Sequence, residues 1–347
     1  MHMADALLSP AVGASFWAGT FAAIGYASKK LKRSVDDRMI PLMGVLGSFI
    51  FAAQMINFTI PGTGSSGHIG GGMILAILLG PYAAFLVMAS VLTVQALFFA
   101  DGGLLALGCN IWNLGLYPCF IAYPLLYRPL AGDGSDPKRN LTAALVGAVA
   151  GLQMGAFSVV LETVLSGKTE LPVGAFAMLM LTIHLAIGVA EGLVTAGVVK
   201  YVRSVRPELL DSAALSRPLQ QSLSIRRVLV VFALLAVIVA GGLSWFASTH
   251  PDGLEWAVEK VTGGRGVEAS GQGVAGALQK AQEQTAFLPD YQFKQETGEG
   301  ERRTVVPAPQ SSAGTSVAGI VGAAIVLLFS LAAGFTVRLL RSRRKHA

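Results

Sequence analysis

The chain holds only two cysteines in 347 residues, Cys109 and Cys119. They fall on one predicted helix ten positions apart, a rise of about 15 Å, which is too far for a disulfide. With no further thiol, disulfide frameworks and cysteine-rich metal clusters are excluded as organising features. Charge is scarce as well: 13% of the residues are Asp, Glu, Lys or Arg, against about a quarter in a soluble domain. Nucleotide-binding signatures are also missing. Gly62-Thr63-Gly64-Ser65-Ser66-Gly67 spells a dinucleotide fingerprint, but it follows an apolar helix where a strand is required, and no acidic residue stands about twenty positions on. Its glycines suit a tight loop with positive φ. Ser166-Gly167-Lys168-Thr169 resembles the end of a phosphate-binding loop, but Glu162 occupies the place of the required first glycine. No ATPase is encoded, so any active process would draw energy from a separate subunit or an ion gradient.

Apolar residues are abundant: 53% of the chain is hydrophobic, with 41 glycines and a mean hydropathy of +0.60. Nine apolar stretches lie at 11–28, 39–57, 69–80, 82–99, 104–126, 141–162, 173–199, 228–248 and 316–337. Most reach the ~20 residues that cross ~30 Å of hydrocarbon. The third is short and is parted from the fourth by Gly80-Pro81, so it is expected as a partial span enclosed by protein. The sequence predicts an all-α polytopic membrane protein. Residues 1–205 form a seven-segment transmembrane bundle, 206–227 a cytoplasmic connector, and 228–347 a two-span module around an extracytoplasmic loop at about 249–315. With the N-terminus outside, nineteen of the 26 Lys and Arg fall in the cytoplasmic segments 29–38, 128–139, 200–227 and 338–345, as the positive-inside rule requires. The C-terminus is then cytoplasmic, and the net charge of +6 reports topology and anionic lipid, not nucleic acid. The first apolar stretch lacks the basic leader and cleavage site of a signal peptide.

The external loop carries most of the soluble character of the chain. In Pro251-Asp252-Gly253-Leu254-Glu255-Trp256, an Asp at a plausible N-cap and a Glu three positions on form a capping-box pattern, opening a short helix through Val261. Further on, Glu296-Thr-Gly-Glu-Gly-Glu-Arg-Arg is polar enough to be mobile.

The chain begins Met1-His2, and the only other histidine in its first 180 residues is His68, at the end of the Gly/Ser-rich loop. A free Met1 amine, the His2 backbone nitrogen and the His2 imidazole close a five-membered and a six-membered chelate ring, leaving one planar position for the imidazole of His68. Four nitrogens in a plane suit Ni(II) or Cu(II) far better than Zn(II), Mg(II) or Ca(II). The bulky residue at position 2 disfavours removal of Met1. The plain alternative is a start codon followed by an incidental histidine.

Other polar residues sit within apolar stretches. His184 and Glu191, seven residues apart, share one face of the seventh span; intramembrane ionisable groups are functional candidates, against a satisfied buried pair. Asn110 and Asn113, one turn apart, suit either support of a metal-bound imidazole or interhelical hydrogen bonding. On the first span the rows Ala14, Ala18, Ala22 and Ser15, Gly19, Ala23, Ala27 permit close helix approach, within the chain or to another subunit.

Met1-His2, Asn57–His68, Phe99–Asn110 and Ala186–Gly192 together resemble the substrate-binding membrane component of nickel/cobalt energy-coupling-factor (ECF) transporters, over residues 1–205. Pro251–Glu255 resembles the PDGLE domain, which accompanies that component as a two-span subunit or a C-terminal extension. The resemblance implies that Met1 and His2 supply three nitrogens and His68 the fourth. Ni(II) or Co(II) is then the transported substrate and not a cofactor, bound on the external side of a bacterial or archaeal plasma membrane. It further implies a coupling membrane subunit and a cytoplasmic ATPase pair as partners. Met3 and the run Ala4-Asp5-Ala6 depart from the family's usual acidic-Gly-aromatic segment. Cobalt uptake for cobalamin synthesis is the nearest alternative, and a membrane metal sensor or scaffold is one of another class. An intramembrane metalloenzyme lacks the His-Glu-x-x-His helix it would need.

Overall fold

The computed structural model describes residues 2–32, 36–168, 171–219, 224–264, 273–294 and 312–342, and the polar run at 296–303 lies outside them. A 3-10 turn, Asp5–Leu7, precedes helix α1, Pro10–Leu31, which Ser9 caps by accepting from the Val12 amide while Pro10 takes the first turn. Helix α2, Met39–Gln54, leads into two short antiparallel strands, β1 (Phe58–Ile60) and β2 (Ser65–Gly67), with Phe58 opposite Gly67 and Ile60 opposite Ser65. This hairpin is a correction to the all-α expectation. The glycine-rich turn closes on itself: Gly62 and Gly64 take φ of 79° and 74°, and Thr63 both donates to Ile60 O and accepts from the Ser65 amide.

Helix α3, Gly72–Leu79, has eight residues, all buried, and its length of about 12 Å leaves it a partial span inside the bundle, as the sequence predicts. Gly80, at φ 77°, turns the chain into α4, Pro81–Phe99. Helix α5, Leu107–Ile111, runs on as a π-helical stretch, Trp112–Tyr127, and then α6, Arg128–Ala131. The wide turns coincide with Pro118 and Pro124, neither of which has an amide to close an ordinary helical turn. Helices α7 (Pro137–Ser166) and α8 (Val173–Val205) come next, followed by the short α9, Pro207–Leu215.

The C-terminal part contributes α10 (Arg226–Gly241), α11 (Gly253–Thr262), α12 (Gly273–Thr285) and α13 (Ser312–Ser342). Helices α10 and α13 lie against α2: Phe232 meets Phe49 edge-on with centroids 5.1 Å apart, and Ser48 donates to Ala323 O at 2.7 Å. Among the described residues four helices are long and apolar enough to cross a membrane, Pro81–Phe99, Pro137–Ser166, Val173–Val205 and Ala313–Arg341. The chain is a mostly helical, multi-pass membrane protein.

Lipid tails are as apolar as the side chains, so close packing rather than burial from water holds such helices together. At the α7–α8 crossing, a Cβ on Gly192 would stand 2.7 Å from Leu145 Cα, and one on Gly188 2.9 Å from Val149 Cα; the obstruction is backbone and cannot swing aside. Gly192→Val is therefore expected to destabilise the folded chain by about 1–3 kcal/mol, seen as a lowered unfolding temperature in detergent. Gly197→Ala, on the same helix with nothing within 4 Å, should leave that temperature unchanged; equal losses in both would refute the close-crossing account.

Candidate metal centre

Four polar side chains shape the junction between the N-terminal segment and the loop after β2. Asn110 accepts from the Met3 amide at 2.8 Å and donates to Met3 O at 3.3 Å, while the Gly103 amide also donates to Met3 O at 3.0 Å. Asp5 accepts from the Ala106 amide at 2.9 Å. On the other side Glu191, buried in α8, accepts from the amides of Gly70 at 2.7 Å and Gly71 at 3.1 Å. Gln54 donates to Gly70 O at 2.8 Å, with Gln95 behind it. The main chain on both sides of the junction is thus fixed by side chains from α2, α4, α5 and α8.

Between these anchors stand His2 and His68. Their rings lie nearly parallel, 13° apart, with centroids 5.0 Å from one another, close enough for metal–nitrogen bonds of about 2 Å to reach one ion from both. The Nδ1 of His68 donates to Ile69 O at 3.0 Å, which leaves Nε2 with its lone pair. Burial, with His2 beside it, pushes the His68 imidazole down to about 3, so at neutral pH it is an uncharged donor. His2 Nδ1 faces Asp101 Oδ1 at 3.0 Å, and His2 Nε2 is buried without a partner. Asp101 Oδ2 accepts from the Tyr291 hydroxyl at 2.5 Å. Burial opposes ionisation of Asp101, but His2 and Tyr291 outweigh it and hold the carboxyl well below its usual range. Met1 lies outside the described residues. Among those residues no group of three or more His, Cys, Asp or Glu side chains is arranged to hold a metal ion; the side chains contribute two imidazoles, and further donors would be main-chain nitrogens.

The segment before α11 covers the loop like an added strand. Ser66 donates through its amide to Pro251 O and through its hydroxyl to His250 O, both at 2.8 Å, and the Trp256 indole donates to Thr63 O at 3.0 Å. Asp252 and Glu255 form the expected capping box. A small cavity between this segment and the bundle is lined by Gly67, His68, His184, Asp252 and Gly253, among others.

The remaining polar residues separate by role. Asn110 anchors the N-terminal segment, whereas Asn113 donates to Glu162 at 3.0 Å and serves as interhelical glue. Glu191 holds the loop backbone, and His184 donates from Nδ1 to Met180 O at 2.8 Å with Nε2 unpartnered. Asp101 falls within Phe99–Asn110, one of the stretches that carry the resemblance, as an ionisable residue before two glycines. Tyr291 carried no sequence signal at all.

The sequence matches the family described as cobalt uptake substrate-specific transmembrane region over residues 2–209, and the PDGLE domain over 226–339. The chain belongs to that family. It is 31% identical to a putative fused nickel transport protein, NikMN, of Archaeoglobus fulgidus, over 96% of this chain and 97% of that one. It is 30% identical to the fused nickel transport protein NikMN of Rhodobacter capsulatus, over 84% and 88%, and 30% identical to the cobalt transport protein CbiM of Sorangium cellulosum, over 60% and 95%. A crystal structure of a transition metal transporter superposes with a TM-score of 0.53 at 28% identity, covering 62% of this chain and 99% of that one. Family membership makes the chain a component of metal transport and not an enzyme.

Acid should reveal the buried imidazole. His68 stays neutral in the folded, metal-free chain down to about pH 3, while in the unfolded chain it takes up its proton near pH 6.5. The unfolded state then binds more protons throughout that interval, so this contribution to stability is whole above pH 6.5 and drains away as pH falls towards 3. The unfolding temperature of the metal-free protein should decline over this window, and less steeply in His68→Gln; parallel declines would show that His68 is not buried neutral.

Proposed function

We propose that the chain captures Ni(II) on the extracytoplasmic side and delivers it inward as the substrate-specific component of an ATP-driven, ECF-type uptake transporter. The observation that carries this is the meeting of His2 and His68, 66 positions apart in sequence, with ring centroids 5.0 Å apart. With the terminal amine of Met1 and the His2 amide nitrogen they make four nitrogens, a donor set that favours Ni(II) over Co(II). Affinity alone would favour Cu(II) still more, so selectivity comes from availability or from rejection of misfit geometry. No ATPase motif lies in the chain, and the energy then comes from cytoplasmic ATPase subunits acting through a coupling membrane subunit. The row Ala14, Ala18 and Ala22 is exposed on α1, which supports its use towards such a subunit.

In this proposal residues 1–205 are the seven-segment metal-binding unit, 206–227 the cytoplasmic connector, and 228–347 a two-span PDGLE-type module with its loop at about 249–315 outside. The N-terminus lies outside and the C-terminus inside, as the distribution of Lys and Arg supports. Cobalt uptake, supplying cobalamin synthesis, is the second reading. It is favoured by the description of the matched family and by the relative named for cobalt transport.

His68→Ala should abolish stoichiometric nickel binding by the purified protein while membrane insertion is retained, since it removes one donor from a loop and nothing from a span. A tag placed ahead of Met1 should also abolish binding, because it converts the terminal amine into an amide. Nickel retained in full by either variant, measured by elemental analysis, would reject the four-nitrogen site.

A further inference from the structure

We infer that Tyr291, in the C-terminal unit, is a positioning residue for the metal ligand His2: its hydroxyl aims Asp101, and Asp101 aims the His2 ring. The inference rests on His2 being a ligand. Its geometry is a continuous chain, Tyr291 hydroxyl to Asp101 Oδ2 at 2.5 Å and Asp101 Oδ1 to His2 Nδ1 at 3.0 Å. The His2 side chain is only 6% exposed, so water does not substitute for the carboxylate.

Several features hold Tyr291 in place. Its ring stacks on Phe99, with centroids 5.0 Å and planes 18° apart, and meets the edge of Phe51. Just before it the Leu288 amide donates to Phe98 O, and just after it Gln292 donates to Thr315 at 2.7 Å. Asp290 and Tyr291 both adopt left-handed φ, 52° and 60°, a conformation unfavourable for residues with a Cβ. Two such residues in succession persist only where surrounding contacts over-determine them, and such sites cluster where geometry serves function.

The chelate geometry shows why His2 needs this carboxylate. A six-membered ring through the His2 amide nitrogen closes only at Nδ1, by way of Cα, Cβ and Cγ. In the metal-free chain Nδ1 is the atom that faces Asp101, while Nε2 is buried without a partner. A half-turn about Cβ–Cγ presents Nδ1 to the metal and carries Nε2 to the side of Asp101. The turn leaves Cδ2 where Nδ1 stood and Nε2 where Cε1 stood, on the Asp101 side of the ring. The carboxylate that accepts from Nδ1–H before capture therefore stands beside Nε2–H afterwards, as carboxylates behind metal-bound histidines commonly do. Tyr291 keeps that acceptor aimed through the turn.

The test uses the full-length protein with an untouched N-terminus in detergent, titrated with Ni(II) and, as a spectroscopic probe, Cu(II). Tyr291→Phe keeps the aromatic stack and is expected to weaken Ni(II) binding about tenfold, with Asp101→Ala weakening it at least as much. The double variant should be no weaker than Asp101→Ala, because the two act in series. Gln279→Ala, which removes an exposed contact to Glu283 within α12 of the same unit, should bind Ni(II) as the parent does. The nitrogen hyperfine pattern of bound Cu(II) should persist in Tyr291→Phe and lose one nitrogen in His68→Ala. Unchanged or tighter Ni(II) binding in Tyr291→Phe, additive losses in the double variant, or an equal loss in Gln279→Ala would overturn the inference. Full nickel binding in His68→Ala would instead overturn the site itself.

Discussion

Satisfying main-chain polarity where the chain is not helical is the constraint on which this molecule turns. Helices and closed hairpins satisfy their own amides and carbonyls, but Met3 and residues 68–70 lie in neither, and they are buried, where water cannot serve them. Each is therefore supplied with side-chain partners from the surrounding helices: Asn110 for both polar groups of Met3, Glu191 for the amides of Gly70 and Gly71, and Gln54 for Gly70 O. A buried carboxyl group receiving two main-chain amides holds geometry more firmly than an apolar contact does, because hydrogen bonds are directional. Both imidazoles inherit that fixity from the backbone beside them. Pre-set donors lower the cost of ordering a ligand around an ion, which is where a binding site gains affinity.

The small backbone of the loop makes this arrangement possible. Gly71, at φ 77°, brings its amide to Glu191 with Ile50 closing behind it, and a Cβ there would stand 2.7 Å from Ile50 Cγ2. Gly102, also at positive φ, gives room for Asn110 and for His2 in the same way, a Cβ there falling 2.7 Å from Asn110 Nδ2 and 3.4 Å from His2 Cβ. The glycines that imitate a nucleotide fingerprint have a different use: Gly62 and Gly64, at positive φ, turn the hairpin, and a Cβ on Gly67 would collide with Ile187 Cδ1.

What could be read from the sequence follows from which features are local. Apolar runs, the Gly80-Pro81 break and the capping box at Asp252 and Glu255 are each contained within a few residues, and the structure places α3 and α11 accordingly; His2 and His68, 66 positions apart in sequence, have ring centroids 5.0 Å apart. The hairpin at 58–67 was hidden because three-residue strands have too little alternation to stand out from a glycine-rich loop. The π-helical stretch was hidden because two prolines in an apolar run announce a disturbance without its form. Partnerships such as Asn113 with Glu162, or Asp101 with Tyr291, 190 positions apart, belong to tertiary packing and leave no spacing to read.

That last partnership bears on why the C-terminal unit rides on the same chain. Its contacts fall on both halves of the junction: the 250–256 segment on the loop before His68, and Tyr291 on the carboxylate beside His2. The stretch 265–272 between them lies outside the described residues, but α11 and α12 on either side of it reach separate faces, α11 against α8 and Gln282 of α12 against Ala96 O and Gly102 O. A separate subunit would have to find these contacts at its own concentration, whereas a tethered one meets them at an effective concentration set by its linker. Fusion thus makes docking of the unit an intramolecular equilibrium, and any group it contributes behind His2 is present whenever the chain is folded.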